Sequence, residues 1–230
     1  MAHWKNITGG LSAIAVGSRT VVWGVNSGSQ IYHYTNHDNN PWTGIPGGLA
    51  DIGAGVDGTV WGVNSGGSIF RYTGDTEDNA WLHVPGKLSR ISVGSRTNVW
   101  GVDSIGGIFR YTGDDADPWD RIPGGLVDIG AAADGTVWGV NSSQQIYRYT
   151  WTANHWVGIS GGLSRIDVGS RTSVWGVNSS GQIYRYTNDD ENPWTGVHGT
   201  LSDIGAGADG TVWGVNSGGS VFRYTGDSPN

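Results

Sequence analysis

The sequence predicts an all-β chain folded as a six-bladed β-propeller, with four antiparallel strands in each blade. Three observations carry that expectation. The hexapeptide VWGVNS stands at 22–27, 60–65, 137–142, 174–179 and 212–217, and returns as VWGVDS at 99–104. A second series, Trp4, Trp42, Trp81, Trp119, Trp156 and Trp194, keeps the same spacing as the hexapeptide tryptophans, from 37 to 39 residues. Each unit divides into four short strand-like segments separated by turn residues, with no 3.6-residue periodicity. Four strands every ~40 residues, six times over, is the pattern of a propeller.

The second unit shows the elements in order: WTGIP at 42–46, LADIGAG at 49–55, TVWGVNS at 59–65 and SIFRYT at 68–73. The joints between them are Gly-Gly, Asp-Gly, Gly-Gly and the run GDTEDN, all turn chemistry. Strands crowd near a propeller axis, so the small-residue runs beginning at Ile52, Ile129 and Ile204 are expected innermost. The W-x-x-[IV] strand is then outermost and pairs with the IYRY or IFRY strand before it. That order leaves residues 4–8 and 221–225 each without a neighbour in sequence. The two are expected to pair, closing the ring and removing two exposed edges. Repeats beginning near 4, 42, 81, 119, 156 and 194 account for the whole of 1–230 as one domain.

A two-unit period sits inside the six-fold one. One inner-strand position reads Ala13, Asp51, Arg90, Asp128, Arg165, Asp203; six residues later the series is Arg19, Asp57, Arg96, Asp134, Arg171, Asp209. Opposite charges on successive blades predict ion pairs between blades around the axis.

Composition narrows the function classes. Glycine is 41 of 230 residues against a usual share of about 7%, yet 13 Trp and 9 Tyr require burial, so the chain is folded and turn-rich. A net charge of -7 argues against nucleic acid and against an anionic membrane surface. No segment has the ~18 apolar residues of a membrane span. No signal peptide is read at the N-terminus, and a cytoplasmic location is expected. Without Cys there is no disulfide framework and no thiolate metal site.

Catalytic chemistry finds no asymmetric site. The only Glu residues, Glu77 and Glu191, lie in acidic loops, and the inner Asp residues recur in alternate units as structural residues do. The six His (His3, His33, His37, His83, His155 and His198) occupy unrelated repeat positions with no metal-ligand spacing. The loops bearing Asp75, Glu77, Asp78, then Asp114, Asp115, Asp117, then Asp189, Asp190, Glu191 do not match a Ca²⁺ loop and read as a solvated rim. Neither an enzyme nor a cofactor is expected.

What recurs six times is a modest polar site. Asn26, Asn64, Asp103, Asn141, Asn178 and Asn216 end one strand of each unit, on the propeller face that also carries the Gly-Gly-Leu joints with Gly10, Gly48, Gly125 and Gly162. Asn offers donors and acceptors together, which suits vicinal hydroxyls, and glycine admits close approach to the backbone. The same residues are also ordinary hairpin-turn chemistry. The tryptophan series reads first as packing between blades.

The start W-x-x-[IV]-P-G-G-L-x-x-I at 42–52 and 119–129, followed by VWGVNS-x-x-x-I-[YF]-R-Y, resembles the tectonin repeats and covers all six units. The short form is most similar to mushroom tectonins. The resemblance implies a lectin of innate defence that binds glycans of foreign cells, among them lipopolysaccharide and O-methylated mannose or fucose. It leaves room for a homo-oligomer. The alternative is a non-catalytic intracellular protein-interaction propeller, which would use a patch that breaks the six-fold pattern, such as the segment Trp151-Thr-Ala-Asn-His155 or the departures His198 and Thr200.

Overall fold

Placing the repeated residues explains why they repeat. In the second unit Val60, Trp61 and Val63 are all buried. Gly62 stands between them because a Cβ there would lie 2.2 Å from Leu49 Cδ1. The leucine of the Gly-Gly-Leu joint thus fills the space where the next strand has no side chain, and the same contact recurs at Gly139 with Leu126 (2.4 Å). Asn64 then ends the strand. Its Oδ1 accepts the N–H groups of Gly66 and Ser68 at 3.0 and 2.9 Å, which closes the hairpin turn.

In the computed structural model, residues 3–74 and 80–226 are described. They form 24 strands in six four-stranded antiparallel sheets. Blades 1 to 5 span residues 13–45, 51–84, 90–122, 128–159 and 165–197. In blade 2 the strands run outward from the axis as Asp51–Ala54, Val60–Val63, Ile69–Tyr72 and Trp81–Val84. Blade 6 takes three strands from residues 203–224 and its outermost, Trp4–Ile7, from the other end of the chain. Trp4 pairs with Tyr224 and Ile7 with Val221, so the ring closes as the sequence predicts. No helix of the structure is long and apolar enough to cross a membrane.

The core is divided among the gaps between blades rather than gathered in one place. Between blades 2 and 3, for example, Trp61, Val63 and Ile69 pack on Leu88, Ile91, Val93 and Val99. Trp61 meets Tyr111 and Trp119 of the next blade edge-on, with ring centroids 4.8 and 5.9 Å away. The outer tryptophans tie blades at the rim. Trp81 Nε1 donates to Pro46 O at 2.8 Å and Trp119 Nε1 to Pro85 O at 2.8 Å. The first joint glycine lies under that indole: Gly47 has φ 126°, and a Cβ would stand 3.0 Å from Trp81 Nε1. Both tryptophan series are therefore packing elements, as their spacing suggests.

The charge alternation does tie blades together, by the expected ion pairs at the axis and by a different bond farther out. At the axis Arg90 pairs with Asp51 (3.1 Å), and Arg165 lies 3.8 Å from Asp203. Farther out, Asp57, Asp134 and Asp209 do not pair with guanidinium groups. Each accepts the backbone N–H of Arg96, Arg171 or Arg19 in the following blade, always at 2.9 Å. The carboxylate is short and lies against the next backbone, whereas the arginine side chain extends into solvent.

A third tie corrects the reading of the acidic loops as merely solvated. Arg71 forks onto Asp115 with contacts of 3.1 and 2.7 Å and reaches Tyr111. Arg148 does the same to Asp190 and Tyr186, and Arg223 to Asp38 and Tyr34. These bonds hold the Asp115 and Asp190 carboxyls below the usual range; for Asp115 the largest contribution is the Tyr111 hydroxyl, and for Asp190 the Arg148 guanidinium. The loop carrying Asp75, Glu77 and Asp78 lies outside the described residues.

Candidate functional site

At the end of the disc that carries the Asn series, local backbone demands explain part of the pattern. Asn26, Asn141, Asn178 and Asn216 each accept two turn N–H groups through Oδ1, as Asn64 does. Asp103 caps its turn in the same way, through Ile105 and Gly107. One acceptor atom per residue is thus committed to the fold. The Nδ2 groups differ: those of Asn26, Asn141 and Asn178 donate to Gln30, Gln145 and Gln182. The sequence reading missed these three glutamines, whose signal was their recurrence four residues after the Asn.

The glycines separate into two kinds. The first of each Gly-Gly pair is required by the fold, as described for Gly47. The second is not. A Cβ on Gly10 would meet nothing within 4 Å, and on Gly48, Gly125 or Gly162 it would meet only a single carbonyl oxygen at 3.8–3.9 Å. Lys87 and Thr200 stand at the same repeat position without disturbing the joint. The bare backbone at those four glycines leaves open space at the surface.

The structure brings the predicted residues together in pairs from adjacent blades. Gly10, Asn26 and Asn216 line one groove of about 330 Å³ between blades 6 and 1, with Ser12, Ser202 and Gly219. Asn64 and Asp103 line another of about 380 Å³ between blades 2 and 3, where Lys87 replaces the glycine. Across each gap a leucine N–H bonds the facing turn carbonyl, Leu11 to Gly219 and Leu88 to Gly67, both at 3.0 Å. Between blades 4 and 5 the corresponding space differs. Gln144 stands where the other two gaps have Gly67 and Gly219, and its Oε1 accepts from Ser179 at 3.1 Å, so Asn141, Asn178 and Gly162 sit beside a bridged gap. A further groove of about 450 Å³ runs along the rim of blade 5, beside Gln182, Tyr184, His198 and Thr200. None of these openings is deep.

The axis holds the strongest electrostatic perturbation. Asp51, Asp128, Asp167 and Asp203 converge on a cavity of about 50 Å³, enough for a few waters and too small for a sugar. Burial pushes the Asp128 carboxyl up to about 6 and those of Asp167 and Asp203 up to about 7. Their Oδ2 atoms accept the N–H groups of Ile166, Ala206 and Ile14. Asp167 escaped the sequence reading; it is the one charge in a column otherwise filled by Ala15, Gly53, Ser92, Gly130 and Gly205. Among the described residues no group of three or more His, Asp or Glu side chains is arranged to hold a metal ion.

The solved structures that this chain resembles share its fold at low identity. A structure described as streptogramin B lyase superposes with a TM-score of 0.65 at 20% identity, over 93% of this chain and 78% of that one. YCF48 bound to D1 peptide gives 0.63 at 13% identity, covering 99% and 98%. YCF48 from Cyanidioschyzon merolae gives 0.62 at 13%, covering 97% and 98%. At such identities the likeness is one of fold alone. No curated protein matches the chain. The Tectonin domain model, by contrast, matches residues 1–118 and again 114–230. Six repeats, the ring they close and that match over the whole length together place this chain in the tectonin family.

Proposed function

We propose that the protein is a non-catalytic, multivalent lectin whose sites are the shallow grooves between blades on the Asn/Gly face. The observation that carries this reading is the groove between blades 6 and 1, which is lined by the two amides Asn26 and Asn216 and by serines and glycines, Gly10, Ser12, Ser202 and Gly219 among them. Asn216 Nδ2 makes no hydrogen bond among the described residues, so its donors can serve a hydroxyl or ether oxygen. The bare Gly10 backbone beside Leu11 suits a small apolar substituent, which favours an O-methylated mannose or fucose over the parent sugar. Single contacts of this kind are weak. Several on one rigid disc act at high effective concentration and hold repetitive glycans, including those of lipopolysaccharide, far more firmly. The cellular setting in this reading is defence by a protein held in the cytoplasm until cells are damaged.

The test is calorimetric titration with an O-methylated mannoside beside its unmethylated parent, on the natural chain and on Asn216→Asp. Asp103 shows that Asp caps this turn as well as Asn does, so the variant keeps the fold and exchanges donors for acceptors. The expected result is preference for the methylated sugar and fewer occupied sites in the variant. Unchanged stoichiometry and affinity in the variant would overturn the groove assignment. Absence of binding by the natural chain to either sugar would overturn the carbohydrate reading.

A further inference from the structure

The opposite face carries a feature that the six-fold pattern does not explain. After the outward-going strand, five units place Asn36, Gly74, Gly113, Asn188 or Gly226, all at positive φ; blade 4 has Trp151 there instead. It is 46% exposed, far more than the buried hexapeptide tryptophans. Its orientation is nevertheless fixed. Nε1 donates to Gly135 O at 2.7 Å, Tyr149 and Trp100 pack against the ring at 5.2 and 5.9 Å, and the Arg110 guanidinium lies 5.4 Å from its centroid.

Trp151 forms one wall of a groove of about 510 Å³ between blades 4 and 5. Facing it across the groove are Arg171, Thr172 and Asn188 of blade 5, with Thr136 and Asp134 beside it on blade 4. Asp134 holds the Arg171 backbone N–H at 2.9 Å, while the Arg171 guanidinium makes no hydrogen bond among the described residues. The volume lies within the ~300–1,000 Å³ range of small-molecule sites. A held indole opposite a mixed set of donors and acceptors is the chemistry of a pyranose: ring C–H groups on the aromatic face, hydroxyls on the arginine, amide and threonines. The adjacent Asp134 carboxylate and the net charge of -7 disfavour an anionic sugar.

We propose that this groove, framed by Trp151 and Arg171, is a second saccharide site for an uncharged pyranose, on the face opposite the Asn/Gly grooves. A site on each face lets one disc bridge two sugar-bearing surfaces without a second copy of the chain. This goes beyond the reading given above and does not depend on it.

The experiment is a ¹H–¹⁵N titration that follows the Trp151 indole N–H, assigned by its loss in Trp151→Phe, and the Asn216 side-chain amide. The probes are methyl α-D-mannopyranoside, methyl β-D-galactopyranoside, methyl β-D-glucopyranoside and methyl β-D-glucuronide, each to roughly 100 mM, the range of weak single-sugar contacts. At least one neutral glycoside is expected to move the Trp151 resonance without moving Asn216 in step. Arg171→Ala, which removes an exposed side chain that makes no side-chain hydrogen bond among the described residues, is expected to weaken that response about tenfold. No Trp151 shift with any neutral probe, an Arg171→Ala titration equal to the natural one, or binding of the glucuronide alone would each overturn the proposal. Failure of the Asn216→Asp test leaves this readout untouched, so the two faces are judged separately.

Discussion

Replacing Asp167 by Asn is predicted to flatten the dependence of stability on pH. In the folded chain burial pushes the Asp167 carboxyl up to about 7, and Asp203 and Asp128 nearby add negative charge. An unfolded Asp titrates near 3.9. A raised carboxyl stabilises the fold fully below the unfolded value; that contribution is lost as pH rises from about 4 through about 7 and is flat above. Three units correspond to about 4 kcal/mol at most, and solvent screening of the partly exposed Asp167 reduces this to about 2 kcal/mol. Asn keeps an acceptor for the Ala206 N–H and has no charge to bury. Relative to the natural chain, the variant should therefore gain about 2 kcal/mol between pH 4.5 and pH 8, or roughly 4–8 °C in Tm for a chain of this size. Thermal and urea unfolding at both pH values measure it. Parallel pH profiles for the two proteins, or a natural chain that gains stability from pH 5 to 8, would refute the argument.

Other perturbations test the remaining contacts. Asp190→Asn breaks the charge of the fork with Arg148 and should cost about 1 kcal/mol, less at high salt, because both groups are partly exposed. The lowered carboxyls of Asp115 and Asp190 contribute stability above the normal carboxylate range and lose it in acid, so with the axial groups they predict maximum stability between pH ~4 and ~6; urea midpoints across pH locate it. Gly139→Ala should destabilise by overpacking against Leu126, typically by ~1–3 kcal/mol, and Leu126→Ala by ~2–5 kcal/mol, while the double variant should fall short of their sum; a double-mutant cycle reads that coupling. Deleting residues 1–8 removes buried Trp4 and Ile7 and bares the edge of the last strand, and light scattering on warming should show earlier aggregation than in the full chain.

Most of the fold was legible because its packing constraints lie within a unit or between adjacent units and are repeated around the ring. The indole, the missing Cβ of Gly62 and the Leu49 that fills its place need only each other. Ring closure was legible from strand order alone. The axial ion pairs were legible too, but the bonds of the outer charged residues were not, since the sequence shows that Asp57 and Arg96 alternate but not that a short side chain reaches backbone before it reaches a guanidinium. The candidate glycan residues were legible as a series. Their double duty was hidden, because the same Asn that closes a turn through Oδ1 exposes Nδ2 or yields it to a glutamine four residues on, and only geometry separates the cases. Likewise the two joint glycines look alike in sequence, yet one lies under a tryptophan and the other faces water.

Three polar ties recur between blades 2 and 3, 4 and 5, and 6 and 1: at the axis Asp51, Asp128 and Asp203 accept the N–H groups of Ile91, Ile166 and Ile14, and the Asp-to-backbone bond at the turn and the arginine fork at the rim complete the set. For two of these pairs the partners are neighbours in sequence. The third joins the first unit to the sixth: Ile14 to Asp203, Arg19 to Asp209 and Asp38 to Arg223, at separations of 189, 190 and 185 residues. Blade 1 therefore makes these three ties only with blade 6, although the Leu49 N–H to Ser29 O bond and the Trp81 Nε1 to Pro46 O bond hold it to blade 2. A product that stops one blade short retains two complete couples and one orphan, with nothing to latch the disc. Closure of the disc thus depends on the sixth unit: without it the strand Trp4–Ile7 has no partner and blade 1 keeps an uncovered flank.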